Sequence, residues 1–354
     1  MQTHPGMIRI MLLPQPPRRL VAIACVLAAG VGASVISHAQ TAATNDKAGT
    51  FAFGLFGDLG YSAAEEPLMA NVLDDLNRAR LSFVVHVGDL GSPRAGSCTQ
   101  ELWARRLAQF QASANPLIYT PGDNDWTDCR AQQGAPEADP LERLVKLRAF
   151  FFASEQSFGR RTIALTRQSN TPQFDKYREN ARWDLGGTTF LTLHVVGSNN
   201  GRGRTSDGDA EFAERNSADL AWLHAGFEHA VRNASRAIVI MQQANIFPAF
   251  PPFPGDPKQE PSGFTELRNA VAKEAAEFGK PTVVVHGDSH YFRIDKPFMR
   301  RGAGSNEPVV ENVTRVEPFG SPFHHWVMVT ADADDPNVFT FHQRLVPANM
   351  VQGK

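Results

Sequence analysis

From Phe51 onward the chain alternates short apolar runs with longer stretches in which apolar residues recur every third or fourth position. The runs FAFGLF (51–56), LSFVVHV (81–87), LIYT (117–120), TTFLTLHVV (188–196), AIVIM (237–241) and TVVV (282–285) predict strands, being short, rich in β-branched or aromatic residues, and bounded by turn formers. Between the first two, Leu68, Val72 and Leu76 fall at helical spacing. Trp103, Leu107 and Phe110 do the same for a helix near 99–113. Asp139-Pro140 supplies a cap and first turn for a helix running to about Ala153. Further helices are predicted near 209–232 and 263–278. HHWVMVTA and NVFTFH close the chain as an antiparallel pair joined across ADADDP. The proline-rich stretch 247–257 is expected to be a surface loop, because strands stand on both sides of it. This alternation places residues 50–350 in the α/β class as one domain without a long internal repeat.

Composition changes the picture mainly at the N-terminus. The 354 residues are 42% hydrophobic and 20% charged, which is ordinary for a globular protein. Arg18 and Arg19 precede an apolar run from Leu20 to Ile36 that ends in Ser37-His38-Ala39, the pattern of a secretory signal over 1–39 cleaved before Gln40. An uncleaved membrane anchor is the alternative, the run being barely long enough to span. Residues 40–49 form a polar tether. Loss of 1–39 removes three arginines and no acid, leaving 32 Lys and Arg against 37 Asp and Glu, a net charge of -5. With no basic run, nucleic acid is not an expected partner. After signal cleavage no stable membrane insertion is expected, and the protein is secreted or periplasmic. Only Cys98 and Cys129 then remain, and an oxidising compartment suggests one disulfide between them. Two unpaired buried thiols are the alternative.

The chemistry gathers where strands end. FGLFGDLG gives Asp58, VVHVGDLG gives Asp89, IYTPGDND gives Asp123, Asn124 and Asp125, and VVVHGDSH gives Asp288 and His290. A fifth end, IVIMQQAN, carries Gln242, Gln243 and Asn245. One Gly-Asp is a common turn whose carboxylate accepts backbone hydrogen bonds. In an open α/β sheet, however, ligands gather beyond the carboxyl ends of strands. Several carboxylates meeting there would repel one another unless cations sat between them. An oxygen-rich cluster with one or two imidazoles suits divalent metals.

The order of these segments resembles the calcineurin-like metallophosphoesterase superfamily, purple acid phosphatases included, from Phe51 to about Phe341. That family's pattern is Asp-x-His or Asp-x-Gly, then Gly-Asp, Gly-Asn-His-Asp/Glu, a lone His, and Gly-His-x-His. On it Asp58 takes the first place and Asp89 the second, which in the family bridges two metals. Asp123 falls where the family has an asparagine ligand, and His290 on the last histidine. EFAERNSADLAWLHAGF resembles the helix preceding the lone-histidine strand. The departures are specific. Gly60 stands where many members have a histidine, and the tyrosine of the purple acid phosphatases appears as Ser92. Asn124 replaces the histidine credited with protonating the leaving group. Gln243, or Gln242 in the other register, replaces the lone histidine, and Asp288 the first histidine of the last motif. The chain resembles a divergent branch.

The resemblance implies two packed mixed β-sheets flanked by helices, a four-layer α-β-β-α sandwich. It implies a metal set of Asp58, Asp89, Asp123, Gln243, Asp288 and His290 for divalent ions, two of them, with Asn124 contacting a phosphoryl oxygen. So carboxylate-rich a set favours Mn²⁺, Mg²⁺ or Ca²⁺, with Fe or Zn as alternatives. Other residues compete for roles. His286 is either an orienting or proton-supplying group or the last buried residue of its strand, and His194 is a core histidine rather than a ligand. In GSNNGRGR, Asn199, Asn200, Arg202 and Arg204 are candidates for holding the substrate, the arginines as a bidentate phosphate clasp, against the alternative of a solvated loop. The expected function is hydrolysis of a small phosphoester by a metal-activated water. The rival is a metal-binding module of the same fold without turnover.

Overall fold

The computed structural model describes residues 49–92, 98–129, 139–247, 262–298 and 309–350. The expected signal, nearly all of the tether and the body of the proline-rich loop lie outside the described residues. The chain begins with β1 (Thr50–Phe56), α1 (Glu66–Arg78), β2 (Phe83–His86), α2 (Gln100–Gln111), β3 (Leu117–Tyr119) and α3 (Pro140–Phe151). It continues through β4 (Thr166–Arg167), β5 (Ala181–Leu185), β6 (Thr188–Thr192), the single turn α4 (Gly197–Asn200), α5 (Ser206–Arg232) and β7 (Ala237–Met241). Then come α6 (Thr265–Phe278), β8 (Thr282–Val285), β9 (Arg293–Asp295), β10 (Val313–Glu317), β11 (Trp326–Asp332) and β12 (Phe339–Arg344).

These strands form two mixed sheets. One has the order β12-β11-β1-β2-β3, the other β4-β5-β6-β7-β8-β10-β9. Strands β1, β2 and β3 run parallel in the first, and β6, β7, β8 and β10 in the second, with antiparallel strands at the margins. The sheets pack face to face through Phe53, Phe83, Val239 and Val283, among others. Met69 and Val72 of α1, Trp103 of α2 and Leu147 of α3 cover the outer face of the first sheet. Trp222 and Phe227 of α5, with Leu267 and Val271 of α6, cover the second. That is the α-β-β-α sandwich expected, since each sheet must bury both faces. Among the described residues no helix is long and apolar enough to cross a membrane.

Local chemistry explains the helix starts. Thr99 accepts a hydrogen bond from Leu102 N, Asp139 from Leu141 N and Thr205 from Gly208 N, capping α2, α3 and α5. In α1 the buried stripe is Met69, Val72 and Leu76, with Leu68 only half-buried. Strand β6 stops at Thr192, four residues short of the expected end, although Leu193 N still donates to Met241 O. Strands β4, β5, β9 and β10 are additions to the sequence reading.

Parallel register positions the site. Phe56 pairs with His86, and His86 with Tyr119. Thr192 pairs with Met241, and Met241 with Val285. The loops following these residues therefore leave each sheet at one level.

Candidate metal centre

Four Gly-Asp pairs, at Gly57, Gly88, Gly122 and Gly287, stand in these loops, and two of the glycines make room for a neighbour's carboxylate. A Cβ on Gly122 would lie 2.0 Å from Asp89 Oδ1, and one on Gly287 2.0 Å from Asp58 Oδ2. The ligand-type residues themselves take left-handed backbone: Asp58 (φ 53°), Asp89 (φ 59°), Asp288 (φ 72°) and His290 (φ 61°). Such residues cost about 1–3 kcal/mol each and persist where surrounding contacts impose them. Here they turn side chains back across the strand ends.

Asp58, Asp89 and His290 form the tighter half of the centre. One ligand atom from each lies within 4.8 Å of the others. His290 Nδ1 is 2.7 Å from the Ser321 carbonyl and must donate to it, which leaves the Nε2 lone pair facing the carboxylates, 3.6 Å from Asp58 Oδ1. Tyr61 enters from the β1 loop. Its hydroxyl donates to Asp89 Oδ2 at 2.6 Å and stands 3.3 Å from His290 Nε2. Asn124 Nδ2 donates to Asp89 Oδ2 at 2.7 Å and to the Tyr61 hydroxyl at 3.2 Å. Burial, followed by repulsion from neighbouring acids, holds the Asp58 and Asp89 carboxyls well above the usual range, and burial with the Asp89 charge does the same to the Tyr61 phenol.

Asp123 and Asp288 form the second half. Both reach Gly197, whose Cβ would lie 2.5 Å from Asp288 Oδ1 and 2.8 Å from Asp123 Oδ1. The halves are joined where Asp288 N donates to Asp58 Oδ1 at 3.0 Å. Burial pushes Asp288 up to about 7, with the Asp123 charge adding to it, and burial also raises Asp123. Ser198 Oγ donates to both Asp123 Oδ2 and Asp128 Oδ2, at 2.9 and 3.0 Å. Asp125 is a loop tie: its carboxylate accepts from Leu90 N, Gly122 N and the Tyr119 hydroxyl.

The donor set suits a divalent cation. Buried carboxylates and an imidazole with its lone pair turned inward converge, and among the described residues the only basic group within ion-pair reach of Asp58 is His290. Without a positive charge these acids cannot all ionise.

Several expected roles change. Gln243 Oε1 accepts from Gly197 N at 2.6 Å while Nε2 donates to Asp123 Oδ1 at 2.9 Å, so this amide ties two loops together instead of offering its oxygen to a metal. Gln242 donates to Ala244 O and turns away. His286 is fully buried, its Nδ1 donating to Gly287 O, and burial lowers its pKa to about 3, so at neutral pH it is uncharged and its one N–H is committed to that carbonyl. His194 is a core histidine, its Nδ1 2.7 Å from Glu179 Oε1 and its Nε2 accepting from Trp126 Nε1 at 3.0 Å.

The expected phosphate clasp is not assembled. Asn200 is buried, its side-chain oxygen taken by Arg215 Nη1 and Val196 N. Asn199 Oδ1 accepts from Gly263 N. Arg204 bonds Thr127 O and Asp128, and Arg202 lies over the Phe212 ring. Tyr61 went unnoticed in the sequence although it stands three residues after Asp58. A ring at Gly60 is excluded, since its Cβ would meet Arg106 Nη2 at 2.6 Å, and the next residue supplies one instead. Cys98 and Cys129 form a disulfide with Cα atoms 5.7 Å apart, pinning the loops that follow Asp89 and Asp123.

No protein-family model matches the chain, and no curated protein matches it. Among solved structures, GAP50, the anchor in the inner membrane complex of Plasmodium, is 8% identical, covers 84% of this chain and 89% of its own, and has a TM-score of 0.43. The 5'-nucleotidase of Candida albicans SC5314 is 9% identical, with 82% of this chain and 50% of that one covered and a TM-score of 0.40. Vps29 of Entamoeba histolytica, solved in complex with zinc, is 10% identical, with 83% and 99% covered and a TM-score of 0.27. At these scores the likeness carries no argument about activity, and the two-sheet architecture stands on its own strand order.

Proposed function

We propose that the chain is a metal-dependent phosphoester hydrolase of the metallophosphoesterase type, exported and acting on a small substrate. The observation that carries the reading is the convergence of Asp58, Asp89 and His290 to within 4.8 Å, with Asp123 and Asp288 meeting beside them at Gly197. The order of Gly-Asp strand ends supports the family, and the apolar N-terminal run together with the Cys98–Cys129 disulfide supports export. Asp58, Asp89 and His290 would hold one divalent cation, and Asp123 and Asp288 a second, with Asp89 the shared ligand that the family pattern implies. When bound, such ions supply charge neutralisation at the phosphoryl oxygens and acidify the attacking water. Mn²⁺, Mg²⁺ and Ca²⁺ suit the carboxylates best. This chain's own residues set the geometry. Asn124 and Tyr61 fix the Asp89 carboxylate, Gln243 fixes Asp123, and the Ser321 carbonyl fixes the His290 tautomer.

The second reading, metal binding without turnover, is favoured by Asn124, whose amide donates a hydrogen bond but no proton, and by the burial of His194 and His286. One experiment separates them. Purified mature protein is analysed for metal, then assayed with 4-nitrophenyl phosphate and Mn²⁺ beside Asp89→Asn. Bound metal and turnover that both fall with Asp89→Asn support the hydrolase. Metal without turnover leaves the binding module, and no metal affinity at all ends both readings.

A further inference from the structure

Glu65 stands at the N-cap of α1, yet its side chain makes no bond to the free N–H groups of its own helix, where an acceptor is ordinarily stabilising. The carboxylate turns outward to two other loops. Oε2 accepts from Tyr61 N at 2.9 Å, in the loop after β1, and stands 3.1 Å from His324 Nε2. Oε1 accepts from Ser321 Oγ at 3.1 Å, in the loop between β10 and β11. None of these contacts is with a residue of the metal set, but both loops run into it. Ser321 is wedged between two of the ligand residues: its N donates to Asp58 O at 2.8 Å and its carbonyl accepts from His290 Nδ1 at 2.7 Å. Gly320 before it is packed so closely that an added Cβ would lie 3.0 Å from His290 Cγ and 3.1 Å from Asp58 Cβ. Tyr61 reaches the third, its hydroxyl donating to Asp89 Oδ2 at 2.6 Å. One oxygen of Glu65 therefore holds the residue that contacts Asp89, and the other holds the residue that contacts Asp58 and His290.

We propose that Glu65 is a positioning residue for the first cation: it spaces Asp58, Asp89 and His290 through Tyr61 and Ser321 without touching the ion. Groups that orient ligands in this way carry about 10–100-fold of metal affinity. An amide cannot replace the carboxylate. The Tyr61 N–H and the Ser321 hydroxyl arrive on different oxygens, whereas a glutamine offers one acceptor oxygen and turns an NH₂ toward the other donor. The inference rests on the metal-dependent reading for the cation, but the hold on His290 through Ser321 exists without it.

The test uses the mature protein with Glu65→Gln, Ser321→Ala, the two combined, and Asp75→Asn. Asp75 is the control. It is a carboxylate of the same helix, 15% exposed against 19% for Glu65, and it accepts from Trp326 Nε1 of β11 rather than from a ligand loop. Mn²⁺ affinity is read from the electron-spin-resonance signal of the free ion, stability from urea denaturation in chelator, and the His290 tautomer from nitrogen NMR of isotope-labelled histidine in metal-free protein. Glu65→Gln should bind Mn²⁺ about tenfold more weakly, about 1.4 kcal/mol, and show a mixture of His290 tautomers in place of the single Nδ1-protonated form. Asp75→Asn should lose stability in chelator and leave both the affinity and the tautomer unchanged. Ser321→Ala should share part of the Glu65→Gln loss, so that the combined variant falls short of the sum of the two. Native affinity in Glu65→Gln, a loss no larger than that of Asp75→Asn, or losses that simply add would each overturn the proposal. If the native chain binds no Mn²⁺, the metal reading fails and the tautomer decides the rest. A mixture in Glu65→Gln then keeps Glu65 as the residue that positions His290, and a single native tautomer overturns it.

Discussion

At Gly122 one added methyl would stand 2.0 Å from Asp89 Oδ1 and 2.6 Å from Asp89 N, and neither can retreat without moving the β2 loop. Gly122→Ala is therefore expected to cost about 1–3 kcal/mol as an overpacked site, and to blunt stabilisation by Mn²⁺ because Asp89 is displaced. Gly279→Ala is the control. Its Cβ meets nothing within 4 Å, but its φ of +65° strains an alanine by about 1–2 kcal/mol. Urea denaturation with and without Mn²⁺ should show both losses and an altered metal response only for Gly122→Ala. The centre's carboxylates were legible in the sequence because each is announced locally, by a β-branched strand that ends in Gly-Asp. The role of Tyr61 and the orientation of the Gln243 amide were not, whereas the burial of His286 was one of the two readings its strand offered. Which way those side chains turn is set by partners more than 25 positions away, such as Asp89 for Tyr61 and Asp123 for Gln243.

At the level of elements, two devices hold the loops that carry the centre. The first is a left-handed turn: Ser198, Asn199 and Asn200 all have φ between 52° and 58°. Arg215 of α5 clamps it, donating to Asn200 Oδ1 and O and to His194 O. Arg215→Met should cost about 3–5 kcal/mol, as expected when one partner of a buried polar cluster is removed, and the turn should become the first segment to exchange its amide hydrogens. Equal exchange at Asn199 and Asn200 in both proteins would show that the clamp is unnecessary. The second is the disulfide, which closes 31 residues of chain. Replacing both cysteines by serine should lower stability by about 2–4 kcal/mol, read from urea denaturation under oxidising conditions. The same scale shows why β9 and β10 escaped sequence reading. In VTRVE the buried Arg315 pairs with Asp295 and the buried Glu317 with Arg293, both on β9. Charged residues inside a short run argue against a buried strand until their partners are known. Strand β5 was recoverable in principle, since Gly186-Gly187 is a hairpin turn of two positive-φ residues between it and β6.

For the whole molecule, the acids and the histidines pull stability in opposite directions with pH, and their windows differ. Burial lowers His86 and His286 to about 3, so between that value and about 6.5 the unfolded chain binds more protons and stability rises with pH. Burial raises Asp288 to about 7 and both Asp219 and Glu317 to about 8, and it raises Asp58 and Asp89 as well. For these the folded chain keeps protons that the unfolded chain has released, so their contribution falls as pH rises from about 4 through each folded value. Below about pH 6.5 the two histidines offset part of the acids' contribution. Above it only the acids remain, and the metal-free protein should lose about 1.4 kcal/mol per pH unit for each acid still protonated in the fold. A divalent cation replaces those protons at Asp58, Asp89 and Asp288, so saturation with Mn²⁺ should reduce the slope and leave the part due to Asp219 and Glu317. Asp219 is on the buried face of α5, where it accepts from Asn180, and it is not part of the centre, so Asp219→Asn should reduce the slope by the same amount with metal as without it. Urea denaturation from pH 6.5 to about 8.5, in chelator and in Mn²⁺, measures all three lines. Parallel slopes for the metal-free and loaded native protein would mean that the cation does not sit among these carboxylates.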